Sequence, residues 1–206
     1  NEYTVTYDAA GGTVSSATQT VTYDSNVEYL IPERLGYAFL GWYENTTKHE
    51  NEKWTRTSDL TLVAKWEIAN YTINYELANG TNHADNPASY TVNDETITIK
   101  DPSRTGYTFL GWTYEGQTTP TKNVTIAKGS TGEKTYTANW VANGYEYNII
   151  FKSSTGKELG TTVVTAEFGS DVTINAQPIN GYITPDSQKI KWDSVEPKTI
   201  VFTYEP

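Results

Sequence analysis

The sequence predicts a mostly-β or α+β chain built as three small tandem domains, and three observations carry that prediction. Apolar and polar residues alternate in short runs, the signature of half-buried strands. The 206 residues include 34 Thr, 16 Tyr, 6 Trp and 5 Phe, types that favour a pleated, half-buried surface and are scarce in disordered chains. One pattern of strand, glycine, second glycine and closing strand also recurs three times.

The opening strand of the pattern is Tyr3-Thr-Val-Thr-Tyr7, repeated as Tyr71-Thr-Ile-Asn-Tyr75 and Tyr147-Asn-Ile-Ile-Phe151. A glycine follows each time, at Gly12, Gly80 and Gly156. The pairs Gly11-Gly12 and Asn79-Gly80 are types that accept positive φ, so a tight two-residue hairpin turn is expected there. The second glycine comes in Gly36-Tyr37, Gly106-Tyr107 and Gly181-Tyr182. In the first two copies it sits inside a longer run, Arg34-Leu-Gly-Tyr-Ala-Phe-Leu-Gly-Trp42 and Arg104-Thr-Gly-Tyr-Thr-Phe-Leu-Gly-Trp112. The closing strands alternate through Leu62, Ala64 and Trp66, through Tyr136, Ala138 and Trp140, and through Ile200, Phe202 and Tyr204. The third copy has no Phe-x-Gly-Trp, and its Trp192 stands in a different local pattern, which makes it a sister domain with shared topology.

Domain boundaries are expected at 1–68, 69–142 and 143–206, with short joints and no Pro-rich or Gly/Ser-rich spacer. No segment shows a helical period over ten residues, so any helix should be one or two turns long. Small units without disulfides need large side chains in their cores. Trp42, Trp66, Trp112 and Trp140 are the expected anchors.

Composition excludes several functions. Lys and Arg number 15 against 25 Asp and Glu, a net charge of −10, which argues against nucleic acid and anionic lipid as partners. There is no Cys and only 2 His, so thiolate chemistry and histidine-rich metal cages are out. Mean hydropathy is −0.58, and no window has the apolar length of a membrane span. The chain opens on Asn1-Glu2 and not on Met, so it is expected to be a segment of something longer, with signal peptide and anchor outside it.

These residues resemble two families. The first two copies, with YTVTYDAAGGT, RLGYAFLGW and the closing LVAKW, are similar to the B repeat of internalin-type surface proteins, also called the Listeria–Bacteroides repeat. The third, with FKSSTGKELGTTVV, INGYITPDSQ and IVFTYEP, resembles mucin-binding-protein (MucBP) repeats. The resemblance implies three β-grasp (ubiquitin-like) domains in an extended array on a bacterial, usually wall-anchored, cell-surface protein. It carries no catalytic residues and no fixed glycan contacts. In a β-grasp unit the first and last strands are parallel neighbours, which a tight turn cannot join. Entry and exit then lie at opposite ends, and three units reach roughly 100 Å.

Candidate chemistry is sparse. His49 and His83 are expected as exposed loop residues. Glu50 with Glu52, and Asp94 with Glu95, are expected on solvated faces and not as a glycosidase pair. Asn79, Asn82, Asp85 and Asn86 make an oxygen-rich loop that could hold Ca²⁺ but lacks a regular ligand spacing, and a plain polar hairpin is preferred. Four Asn-x-Thr sites, at Asn45, Asn70, Asn79 and Asn123, are incidental in a Thr- and Asn-rich chain. Tyr43, Trp54 and Tyr114 fall outside the repeated core positions. They could stack on a sugar, although a satellite cluster beneath a loop is the favoured reading. The functional expectation is a non-enzymatic stalk of an adhesin-like protein, needing no cofactor, catalytic residue or metal. The alternative is a module that binds host glycans, mucin or surface proteins.

Overall fold

The computed structural model describes residues 1–206, and every regular element in it is a strand. The first repeat supplies β1 (Glu2–Asp8), β2 (Thr18–Thr22), β3 (Asn26–Val27), β4 (Tyr37–Glu44), β5 (Thr47–His49), β6 (Glu52–Lys53) and β7 (Leu60–Ile68). The second supplies β8 (Tyr71–Glu76), β9 (Ser89–Tyr90), β10 (Ile97–Thr98), β11 (Tyr107–Thr113), β12 (Thr125–Ile126) and β13 (Lys134–Ala142). The last part of the chain supplies β14 (Gly144–Ser153), β15 (Glu158–Glu167), β16 (Asp171–Ile174), β17 (Gln188–Lys191) and β18 (Thr199–Tyr204).

The chain divides into two compact units, residues 1–74 with 87–99 and 125–134, and residues 75–86 with 100–124 and 135–206. The first holds a five-stranded sheet, order β2-β1-β7-β4-β5, and the small ribbons β3-β6 and β10-β12. The second holds a three-stranded sheet, order β15-β14-β18, and the ribbon β16-β17. A four-stranded sheet has the order β11-β13-β8-β9. The short helices that the sequence allowed do not form. Residues 9–36, between the first strand and the Gly-Tyr turn, are rich in Gly, Thr, Ser and Val, which favour turns and extended backbone over helix.

Strand alternation sets the cores. On β1, Val5 and Tyr7 face inward and Thr4 and Thr6 outward. On β7, Leu60, Leu62 and Ala64 are buried, and on β18 Ile200, Phe202 and Tyr204 are. β1 and β7 run parallel from Val5↔Leu60 to Asp8↔Val63. β14 and β18 are likewise parallel, from Asn148↔Thr199 to Ser153↔Tyr204. In both sheets the chain therefore enters at one end and leaves at the other.

The nine-residue signature packs identically in both repeats. Gly36 and Gly106 turn the chain with φ of 76° and 79°, which only glycine adopts without cost. Arg34 lies 3.8 Å over the Tyr37 ring and Arg104 lies 3.6 Å over that of Tyr107. Phe39 sits 5.4 Å from both Trp42 and Trp66, and Phe109 sits 5.2 Å from Trp112 and 5.3 Å from Trp140. Gly41 and Gly111 then open a β-bulge that returns the next Trp to the core face.

Two expectations are corrected. Trp42 and Trp112 are core residues, but Trp66 and Trp140 are only half-buried, each donating its indole N–H to the carbonyl of Ala9 or Leu77. The other fully buried indoles are Trp54 and Trp192. These two are equivalent: Trp54 N–H donates to Ser25 O and accepts from Asp24 N–H on its carbonyl, as Trp192 does with Ser170 and Gly169. Each ring also meets the first Tyr of its pattern, Tyr3 or Tyr147.

Secondly, no tight hairpin forms at Gly12 or Gly80. The positive φ values fall one and two residues earlier, at Ala10 and Gly11 and at Ala78 and Asn79. β2 begins only at Thr18. Gly12 and Gly80 are needed for another reason. A Cβ at Gly12 would lie 2.5 Å from Trp66 Cζ2 and 2.7 Å from Glu33 O, and one at Gly80 would lie 2.6 Å from Trp140 Cζ2. Gly12→Ala should therefore destabilise the first repeat by about 1–3 kcal/mol. Gly160→Ala, where the new methyl meets only Phe151 at 3.7 Å, should cost less than about 0.5 kcal/mol. Urea unfolding followed by tryptophan fluorescence checks both.

Candidate functional site

The three aromatic candidates have different surroundings. Trp54 is 1% exposed and belongs to the core that holds Val5, Tyr7, Trp42 and Leu62, so it offers no ring face to a sugar. Tyr43, on β4, is half-buried with Lys65 Nζ 3.9 Å over its ring. Tyr114 follows β11, half-buried, 5.4 Å from Tyr136. The sequence favoured a satellite cluster beneath a loop for Trp54; that the ring joins the main core was not legible, because its backbone partners, Asp24 and Ser25 in a turn, are distant in the chain.

The densest group of titratable side chains is in the first repeat. It brings together Tyr29, Glu44, His49, Glu52 and Arg56. His49 is not the exposed loop residue expected. It pairs with Trp42 across β4 and β5, and its side chain is 10% exposed. Its Nδ1 lies 3.0 Å from Glu52 Oε1, and its Nε2 faces Glu44 Oε2 at 3.6 Å. Glu52 also accepts the Tyr29 hydroxyl at 2.7 Å, while Arg56 donates two bonds to Glu44, at 2.9 and 2.8 Å.

Burial raises Glu52, but hydrogen bonds from His49 and Tyr29 outweigh it and hold the carboxyl below its usual value. The Arg56 fork does the same for Glu44 against a weaker desolvation. Tyr29 is pushed up, first by burial and then by its bond to Glu52. Each carboxylate here is committed to a partner. The arrangement ties β5, β6 and the segment before β7 onto the sheet.

The other polar candidates are spent in the same way. Glu50 pairs with Lys48 at 3.5 Å and Glu95 with Lys128 at 2.5 Å. Asp94 accepts the Thr91 N–H at 2.6 Å. In the oxygen-rich loop, Asn86 bridges the backbone of Lys100, receiving its N–H at 2.7 Å and donating to its carbonyl at 3.0 Å. Asn82 accepts a bond from Asn86 at 2.7 Å. These oxygens brace the loop.

Open grooves lie beside both Arg-x-Gly corners. One, of about 510 Å³, runs between Gly11–Thr13 and Glu33–Gly36. Its counterpart, of about 490 Å³, lies between Asn79, Thr81 and Ser103–Thr105 with Tyr107 and Phe168. In both, a two-bond bridge closes the floor, Thr13 with Glu33 and Thr81 with Ser103.

Comparison with known proteins finds the same repeats. Residues 3–65 and 71–141 match the family model described as the Listeria-Bacteroides repeat domain. A protein of Evansella cellulosilytica with a provisional membrane-protein name is 32% identical over 189 residues, 88% of this chain and 28% of its own length. Internalin H of Listeria monocytogenes is 30% identical over 129 residues, 58% of this chain and 21% of that protein. The chain thus spans less than a third of the length of these curated relatives. Among solved structures, the Bacillus anthracis TIE protein matches all of this chain with 51% of its own, at 10% identity and a TM-score of 0.39.

The Glu44–Arg56 pair predicts an acid sensitivity. Glu44 titrates lower in the folded chain than its ordinary 4.5, so its contribution is complete above that value and is lost as pH falls through the lowered one. The melting temperature of Glu44→Gln should lie below that of the wild type at neutral pH. The gap should narrow as the pH falls below the ordinary carboxylate value and through the lowered one, as read by thermal unfolding.

Proposed function

Because the chain belongs to the Listeria-Bacteroides repeat domain family, we propose that it is a non-enzymatic spacer segment of a bacterial surface protein, setting the reach of a binding domain elsewhere in that protein. The observation that carries this is the parallel pairing of first and last strands, which passes the chain through a module from end to end. The links support it: Ala69 and Asn70 alone separate β7 from β8, and Asn143 alone separates β13 from β14. The names of the relatives, an internalin and a membrane protein, favour a surface location. No helix is long and apolar enough to cross a membrane. On this reading wall attachment and the adhesin's own binding domain lie elsewhere in the parent protein.

Residues 143–206 lie outside the family matches. Their resemblance to MucBP repeats supports a second reading, contact with mucin-type glycans or host surface proteins. Of the aromatic candidates, Tyr43 and Tyr114 keep partial exposure for such a role.

Small-angle scattering tests the spacer. A compact 206-residue globule has a radius of gyration of about 17 Å. The spacer reading predicts a clearly larger value and a long tail in the distance distribution; a value near the compact one overturns it. For the glycan reading, immobilised mucin should retain the chain, with Tyr43→Ala and Tyr114→Ala weakening retention only if the first two repeats share the contact. Absence of retention at high micromolar protein counts against it.

A further inference from the structure

Each Gly-Tyr corner of the two repeats is covered by a side chain from further along the chain. Val92 lies over Gly36, so close that an added Cβ would overlap its Cγ1. Phe168 lies over Gly106, where an added Cβ would overlap its ring. The tyrosine beside each glycine reaches the same turn. The Tyr37 hydroxyl accepts from Asn93 Nδ2 at 3.0 Å. Tyr107 meets Phe168 edge-to-face at 5.8 Å, with its hydroxyl 3.1 Å from where a Cβ on Gly169 would stand.

Val92 and Phe168 occupy one structural position, the second residue of the turn that follows a module's second strand. Asp94 N–H to Thr91 O closes the first of these turns, and Ser170 N–H to Glu167 O closes the second. The link residues are fastened to the same corners. Ala69 N–H donates to Gly36 O and Asn143 N–H to Gly106 O, both at 2.9 Å, and Phe168 N–H donates to Asn143 O at 2.8 Å. The first repeat has the same turn, closed by Ser25 N–H to Thr22 O, with Tyr23 at the second position and 47% exposed.

We infer that the Gly-Tyr corner of one module is a docking socket whose partner is the second-strand turn of the module that follows, with Val92 and Phe168 as the inserted plugs. This gives the corner glycine two tasks: positive φ for its own turn, and a bare Cα for the neighbour. It also explains why Val92 and Phe168 are large apolar residues at a turn position that favours polar ones. One such side chain is a small contact. It suffices where a one- or two-residue link keeps the partners at high effective concentration, and not between separate molecules. The docking holds whether or not the segment serves as a spacer.

Amide hydrogen exchange on the full chain tests it. Val92→Asp should lower protection of the Ala69 N–H, and Phe168→Asp that of the Asn143 and 168 N–H groups, each by about tenfold or more. The core amides of Val5 and Ile149 should keep theirs. Phe168→Leu, which retains an apolar plug, should restore protection, and Tyr23→Asp should leave all of these amides unchanged. Unchanged protection of the link amides in both Asp variants overturns the inference. So does parallel loss at the core amides, which would make the plugs parts of their own modules' cores.

Discussion

The parallel pairing of a module's first and last strands is the constraint from which the rest follows. Parallel neighbours cannot share a tight turn, so everything between β1 and β7 must serve as a crossover, including β2 to β6. The same pairing puts the end of β7 at the pole opposite the start of β1. Only Ala69 and Asn70 separate β7 from the next strand. The last sheet repeats the arrangement through β14 and β18 with different side chains. Shared topology therefore outlasts the loss of the Phe-x-Gly-Trp signature.

Within that frame the nonapeptide works as a small machine part. Arg34 stacks on Tyr37, Gly36 turns the chain, Phe39 wedges between two indoles, and Gly41 shifts the register so that Trp42 enters the core. Leu40 and Leu110 stand exposed, and no contact in the structure accounts for them. In place of disulfides, aromatic edges and faces hold the core together, a dense network for a module of this size. Polar side chains brace its rim: the Glu44–Arg56 fork in the first repeat, and the Asn86 bridge to Lys100 in the second.

Much of the fold was legible in the sequence because strand alternation is a local signal. Val5 and Tyr7, Leu62 and Ala64, and Phe202 and Tyr204 announce their inward faces two residues apart. The recurrence of Gly36-Tyr37 and Gly106-Tyr107 was equally plain, although their positive φ appears only in the structure. What stayed hidden depends on partners far along the chain. Gly12 is small because Trp66 packs on it from 54 positions away. Trp54 and Trp192 look unrelated in sequence, yet the same backbone bonds to a distant turn make them equivalent. His49 sits in a polar stretch, but strand pairing with Trp42 draws it under cover between two carboxylates. The absence of helices was nearly legible, as no helical period ran through residues 9–36. Of the site candidates, Trp54 was expected beneath a loop, but its place in the main core beside Val5 and Trp42 depends on distant partners; Tyr43 and Tyr114 are half-buried.

A pull on the two ends of the molecule tests the parallel pairing most directly. Parallel terminal strands load their hydrogen bonds together in shear, so each module should resist and then fail as one piece. Single-molecule stretching of the full chain should show a separate rupture event for each sheet closed by parallel first and last strands, β1–β7 and β14–β18, each releasing roughly 60–70 residues of chain at ~3.6 Å per residue. A single rupture freeing the whole length, or a featureless extension at low force, would contradict modules that are independently closed by their first and last strands.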